Sequence, residues 1–154
     1  MRLGRQAAEQ QSHSATRARP QIGRRIELHV LLEDALAVLE WVRSRRPGTP
    51  VWLAGFSFGA YVALRAAAAA QVSGLVTVAP AVHLYDFSTL ALPHCPWLLI
   101  QGETDEVVPV AAVHDWLSGI APRPQALFLP GVGHFFHDRL NELKSALRDF
   151  VPPH

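Results

Sequence analysis

Apolar residues in this chain fall into short blocks of two kinds, separated by turn formers. The first kind is periodic. Leu32, Leu36, Leu39 and Val42 recur close to three- and four-residue spacing, with Ala35 and Val38 widening the stripe, which predicts a helix from about Leu31 to Arg45. Arg43, Arg45 and Arg46 gather at its end, where positive charge suits the helix dipole, and Pro47-Gly48 stops it. The second kind is continuous: Val51–Ala54, Gly74–Ala79, Pro96–Gln101 and Ala126–Leu129. Runs this short without alternation read as strands buried on both faces.

Helical stretches fill the gaps. They run from Phe58 to about Ala70, from Pro109 to Ser118 with proline in the first turn, and from Asp138 to Phe150 with Leu140, Leu143, Leu147 and Phe150 on one face. Ala81–Cys95 is an irregular connection. Strands alternating with helices mean parallel βαβ units with right-handed crossovers. The expectation is an α/β fold: a parallel β-sheet of about four strands, flanked by helices.

The first residues break this pattern. Residues 1–25 are rich in Gln, Ser, Arg and Ala, lack apolar periodicity, and carry six arginines against one acid. They read as a disordered or poorly packed arm, and the arm is drawn as residues 1–30 and the domain as 31–154. The rest of the chain is mildly acidic; the net charge of +1 argues neither for nor against nucleic acid, and no nucleic-acid partner is expected. No run of eighteen apolar residues occurs, so no membrane span is expected. Arg24-Arg25 is twin-arginine-like, but Glu27, His29, Glu33 and Asp34 interrupt any apolar signal core, and a cytoplasmic location follows by default. Cys95 is the sole cysteine, which excludes an intrachain disulfide and reads as a buried thiol. His29, His83, His94 and His114 show no ligand spacing, so neither metal nor cofactor is expected.

Chemistry concentrates after the first strand, in Gly55-Phe56-Ser57-Phe58-Gly59. Strand, G-x-S-x-G and helix in succession form a nucleophile elbow. The chain must reverse sharply at Ser57, which strains its backbone and exposes its hydroxyl. Gly55 and Gly59 lack Cβ atoms, so strand and helix can approach closely. The helix start offers free N–H groups to a developing anion, with the Phe58 N–H as one oxyanion donor.

A serine hydroxyl needs a base, and the base needs a carboxylate to orient it. In a parallel sheet both belong just past the C-terminal ends of later strands. Glu103, Asp105 and Glu106 follow the strand at Trp97–Gln101, and His134 and His137 follow the strand at Ala126–Leu129. The order is serine, acid, histidine.

With these motifs in place, the chain resembles the C-terminal half of an α/β-hydrolase, close to small lidless bacterial hydrolases and the dienelactone hydrolase-like members. The matching stretches are Gly55-Phe-Ser57-Phe-Gly59, Gly102-x-x-Asp105-x-x-Val108-Pro109 and Gly133-His134-Phe135-Phe136, within residues 31–151. The resemblance selects Asp105 among the acids and His134 between the histidines. It leaves Asp105 a second reading as helix N-cap, Glu103 and Glu106 as solvated, and His137 as a surface residue. It implies a serine hydrolase of small acyl compounds, carboxylic esters or thioesters, with Ser57, His134 and Asp105 as its triad. Phe56, Phe58, Phe135 and Phe136 are the expected aromatic neighbours. The front departs from the family, whose members carry about four strands before the elbow strand and draw a second oxyanion donor from one of their loops. The elbow strand is therefore expected to leave one apolar edge open, which invites a homodimer through that edge. The alternative to an active enzyme is a weakly active or inactive hydrolase half that serves as a binding module.

Overall fold

The computed structural model describes residues 20–152. Four helices and four strands follow one another as α1 (Pro20–Arg45), β1 (Trp52–Phe56), α2 (Phe58–Ala69), β2 (Gly74–Val78), β3 (Trp97–Gly102), α3 (Val110–Ser118), β4 (Gln125–Leu129) and α4 (Leu140–Phe150). The strands form one sheet in the order β1-β2-β3-β4, every neighbouring pair parallel. This is the expected α/β sheet.

The two central strands are buried on both faces, which explains their unbroken apolar sequence. Successive side chains point to opposite sides. Val76, Val78, Leu98 and Ile100 meet Leu129, Val132, Phe136 and α4 on one side. On the other, Leu75 and Trp97 meet Tyr61, Leu64 and Ala67 of α2, while Leu99 meets Val113 and Leu117 of α3. Thr77 is the buried polar exception on β2. Its hydroxyl accepts the indole N–H of Trp97 at 2.9 Å, so neither group is buried without a partner.

Several expectations are corrected. The first helix begins at Pro20, not near Leu31, so residues 20–30 are helical rather than part of an arm. Proline suits a first helical turn, and the segment lacks the apolar period that would have revealed it. Residues 1–19 lie outside the described residues. On α1 the stripe holds for Leu32, Ala35, Leu36, Leu39 and Val42, which turn inward as α1 packs on α2, but Val38 is exposed. On α4 Leu143, Leu147 and Phe150 pack on the core while Leu140 is exposed.

β1 differs most from its sequence pattern. Ala54 and Phe56 are exposed; α4 packs on β2 and β3, and its Phe150 meets Trp52 of β1 edge-on at 5.5 Å. Among the described residues β1 pairs with β2 alone, and its other side has no strand.

Candidate active site

The elbow is built as its sequence requires. Ser57 has φ 53°, in the left-handed region that costs an L-residue free energy and persists only when the surroundings enforce it. They do so through three backbone bonds. The Ser57 N–H donates to Val78 O at 2.8 Å, and its carbonyl accepts from Ala60 at 3.2 Å and Ala81 at 3.4 Å. The hydroxyl does not cap α2, so it remains available at the strand ends. Phe58 is the first residue of α2, where an N–H has no acceptor within its own helix.

The two elbow glycines are not equivalent. A Cβ on Gly55 would collide with the backbone of Gly59 and Ala60, whereas one on Gly59 would meet nothing within 4 Å. Close approach is thus a requirement at Gly55 only. Outside the elbow, Gly102 is a second such position, since a Cβ there would lie 2.2 Å from Val132 O.

Asp105 and His134 meet directly. The imidazole Nδ1 lies 2.9 Å from Oδ2 and 3.1 Å from Oδ1 of Asp105. The His134 side chain is 3% exposed and that of Asp105 0%, so water competes little for the bond. Pairing of β3 with β4, with Gly102 opposite Leu129, brings the loops that follow them together. Asp105 does not cap α3, whose N-cap is Pro109. It ties its own turn instead: Oδ1 accepts the N–H groups of Val107 at 2.8 Å and Val108 at 2.7 Å. Burial alone would raise this carboxyl's pKa, but the hydrogen bonds from Val108, His134, Val107 and Gln101 outweigh it and hold the group below the ordinary carboxylate value.

Two supporting residues escaped the sequence reading. Gln101 is fully buried at the end of β3, and its Nε2 donates to Asp105 Oδ2 at 2.9 Å and to Gly102 O at 3.1 Å. A polar residue ending an otherwise apolar strand was the available signal. Glu106, expected to be solvated, is exposed yet accepts the backbone N–H of His134 at 3.1 Å through Oε2. Glu103 is exposed as expected.

Ser57 is brought to the same edge through its neighbour. The Phe56 ring lies 4.9 Å from the His134 ring and 6.3 Å from that of Phe135. The imidazole is bonded to Asp105, and among the described residues it makes no hydrogen bond to Ser57. Phe56 and Phe135 are exposed beside it, and Phe58 lies against Tyr85 at 5.2 Å. Phe136 is not a site residue, for it is buried in the core at 2% exposure. His137 is exposed, its ring 5.7 Å from Phe135. Cys95 is half-buried, and burial pushes its thiol pKa up, which makes it a poor nucleophile. Among the described residues no group of three or more His, Cys, Asp or Glu is placed to hold a metal ion, and no helix is long and apolar enough to cross a membrane.

A family model described as serine aminopeptidase, S33, matches residues 11–92, just over half of the chain. The chain belongs to the α/β-hydrolases. The match begins at residue 11, twenty residues before the stretch that carries the motif resemblance, so part of the arm aligns with the family after all. Among solved structures the chain is similar to a lidless α/β serine hydrolase from Xanthomonas campestris, with 45% identity and a TM-score of 0.73, covering 80% of this chain and 58% of that one. It is also similar to an α/β serine hydrolase homologue from Coxiella burnetii, with 40% identity and a TM-score of 0.73, covering 78% and 58%. A protein of Rickettsia prowazekii (strain Madrid E) is 29% identical over 128 residues, which are 77% of this chain and 54% of that protein. The chain therefore spans between half and two thirds of the length of these relatives.

Proposed function

We propose that this chain carries the catalytic half-site of a serine hydrolase acting on small acyl compounds, carboxylic esters or thioesters. The observation that carries the reading is the buried Asp105–His134 bond, with a serine held at φ 53° on an elbow whose preceding residue, Phe56, lies 4.9 Å ring to ring from His134. Ser57 Oγ attacks the acyl carbonyl while the free ring nitrogen of His134 takes its proton. Asp105 keeps the other nitrogen protonated and the ring oriented. The carbonyl oxygen becomes an anion facing the Phe58 N–H. Its collapse breaks the bond to the alcohol or thiol, which leaves with the proton from His134. Water then attacks the acyl-serine, gives its proton to His134, and releases the acid as the proton returns to Ser57.

The surroundings support this substrate class. Phe56 and Phe135 present exposed aromatic faces beside His134. The connection between β2 and β3 is short and irregular, with no element of its own to enclose a long chain. Small or extended apolar acyl groups suit such an open site.

A fluorophosphonate probe tests the reading. The wild-type chain should be labelled and Ser57→Ala should not. On an ester and thioester panel, His134→Ala should lose about three or more orders of magnitude in kcat. His137→Ala should change little. Loss on His137→Ala with His134→Ala tolerated would overturn the assignment.

The open side of β1 favours a second reading, a hydrolase-derived module that pairs through this strand with a second copy. It requires a dimer in sedimentation at micromolar concentration and no probe labelling. A monomer that takes up the probe retires it.

A further inference from the structure

The turn that carries His134 is gripped from outside by a carboxylate. Glu106 Oε2 accepts the His134 N–H at 3.1 Å, and it stands 2.8 Å from where a Cβ on Gly133 would lie. A side chain at position 133 would push the carboxylate off that N–H. Two more contacts join the same loops: the Thr104 N–H donates to Val132 O at 3.1 Å, and Gly102 lies close under Val132 O. His134 is thereby held twice, its peptide by Glu106 and its ring by Asp105.

The two grips do different things. A bond at Nδ1 sets the tautomer and one direction of the ring, but the ring still swings with its own peptide plane. Fixing the peptide removes that freedom, and an ionised acceptor fixes it more firmly than a neutral one. The bond from the His134 N–H, then one from its own N–H, hold the Glu106 carboxyl below its ordinary range, so it is charged at neutral pH. The ionisable groups that face it are Asp105 on the same turn and His134 across from it.

We propose that Glu106 is a positioning residue whose carboxylate locks the His134 peptide and so aims the free ring nitrogen at Ser57. The proposal rests on reading His134 as the base.

Glu106→Ala and Glu106→Gln test it on the full chain, with two readouts. In hydrolysis of a short p-nitrophenyl ester, Glu106→Ala should lower kcat about 10- to 100-fold with KM unchanged, as expected for a misplaced catalytic group. Glu106→Gln keeps an acceptor oxygen and should recover most of the loss. Gly133→Ala, which displaces the carboxylate without removing it, should reproduce the loss. The second readout is independent of activity: by NMR, exchange of the His134 amide should quicken in Glu106→Ala and stay slow in Glu106→Gln. If the wild-type chain neither hydrolyses the ester nor takes up the probe, the hydrolase reading fails by itself, and amide exchange still decides whether Glu106 holds the turn. Full kcat in Glu106→Ala, or His134 exchange unchanged by it, overturns the proposal.

Discussion

A Cβ on Gly55 would lie 2.2 Å from the carbonyl oxygen of Gly59, whereas a Cβ on Gly59 would meet nothing within 4 Å. The two glycines of one motif thus answer to different constraints. The contact at Gly55 is with backbone, which cannot rotate away. Gly55→Ala should therefore cost about 1–3 kcal/mol or more, as overpacking does. Gly59→Ala should be neutral or stabilise by up to about 1 kcal/mol, since alanine restricts the unfolded chain. Urea denaturation of the two variants checks this, and equal losses would contradict it.

Acid should act on the site through Asp105. Its carboxyl sits below the ordinary value in the folded chain, so the fold binds its proton less readily than the unfolded chain does. The stabilisation is fully present above the unfolded value, about 3.9, and is lost as pH falls through the lowered folded value. Stability measured from pH 6 down to pH 2 should fall along this limb in the wild type, and Asp105→Asn should flatten it. An unaltered acid limb in the variant would show that Asp105 contributes nothing to it.

The Thr77–Trp97 bond makes a third test. Thr77→Val keeps the shape of the side chain but leaves the indole N–H buried without its acceptor. The expected loss is about 1–3 kcal/mol, the usual cost of stranding a buried donor. Activity should be retained, because the hydrogen bonds that hold Ser57, Asp105 and His134 run through other residues. A loss of activity with stability unchanged would count against this.

What the sequence by itself determined is what repeats over a few residues. Four apolar runs became four parallel strands, the spacing of Leu32, Leu36, Leu39 and Val42 became the buried face of α1, and G-x-S-x-G became the strained turn at Ser57. Local periods and glycine spacing encode these because the neighbours that enforce them are close in the chain. What only the tertiary structure decided lies across β3 and β4. Asp105 and His134 are 29 residues apart and Glu106 and His134 28, joined through the register that sets Gly102 opposite Leu129. No local period marks which of three neighbouring acids meets the ring and which the peptide. The same holds for Phe135 and Phe136, adjacent and identical in type. One is exposed beside His134 and the other, at φ 54°, is buried with Leu129 and with Val76 and Leu98, residues distant in the chain.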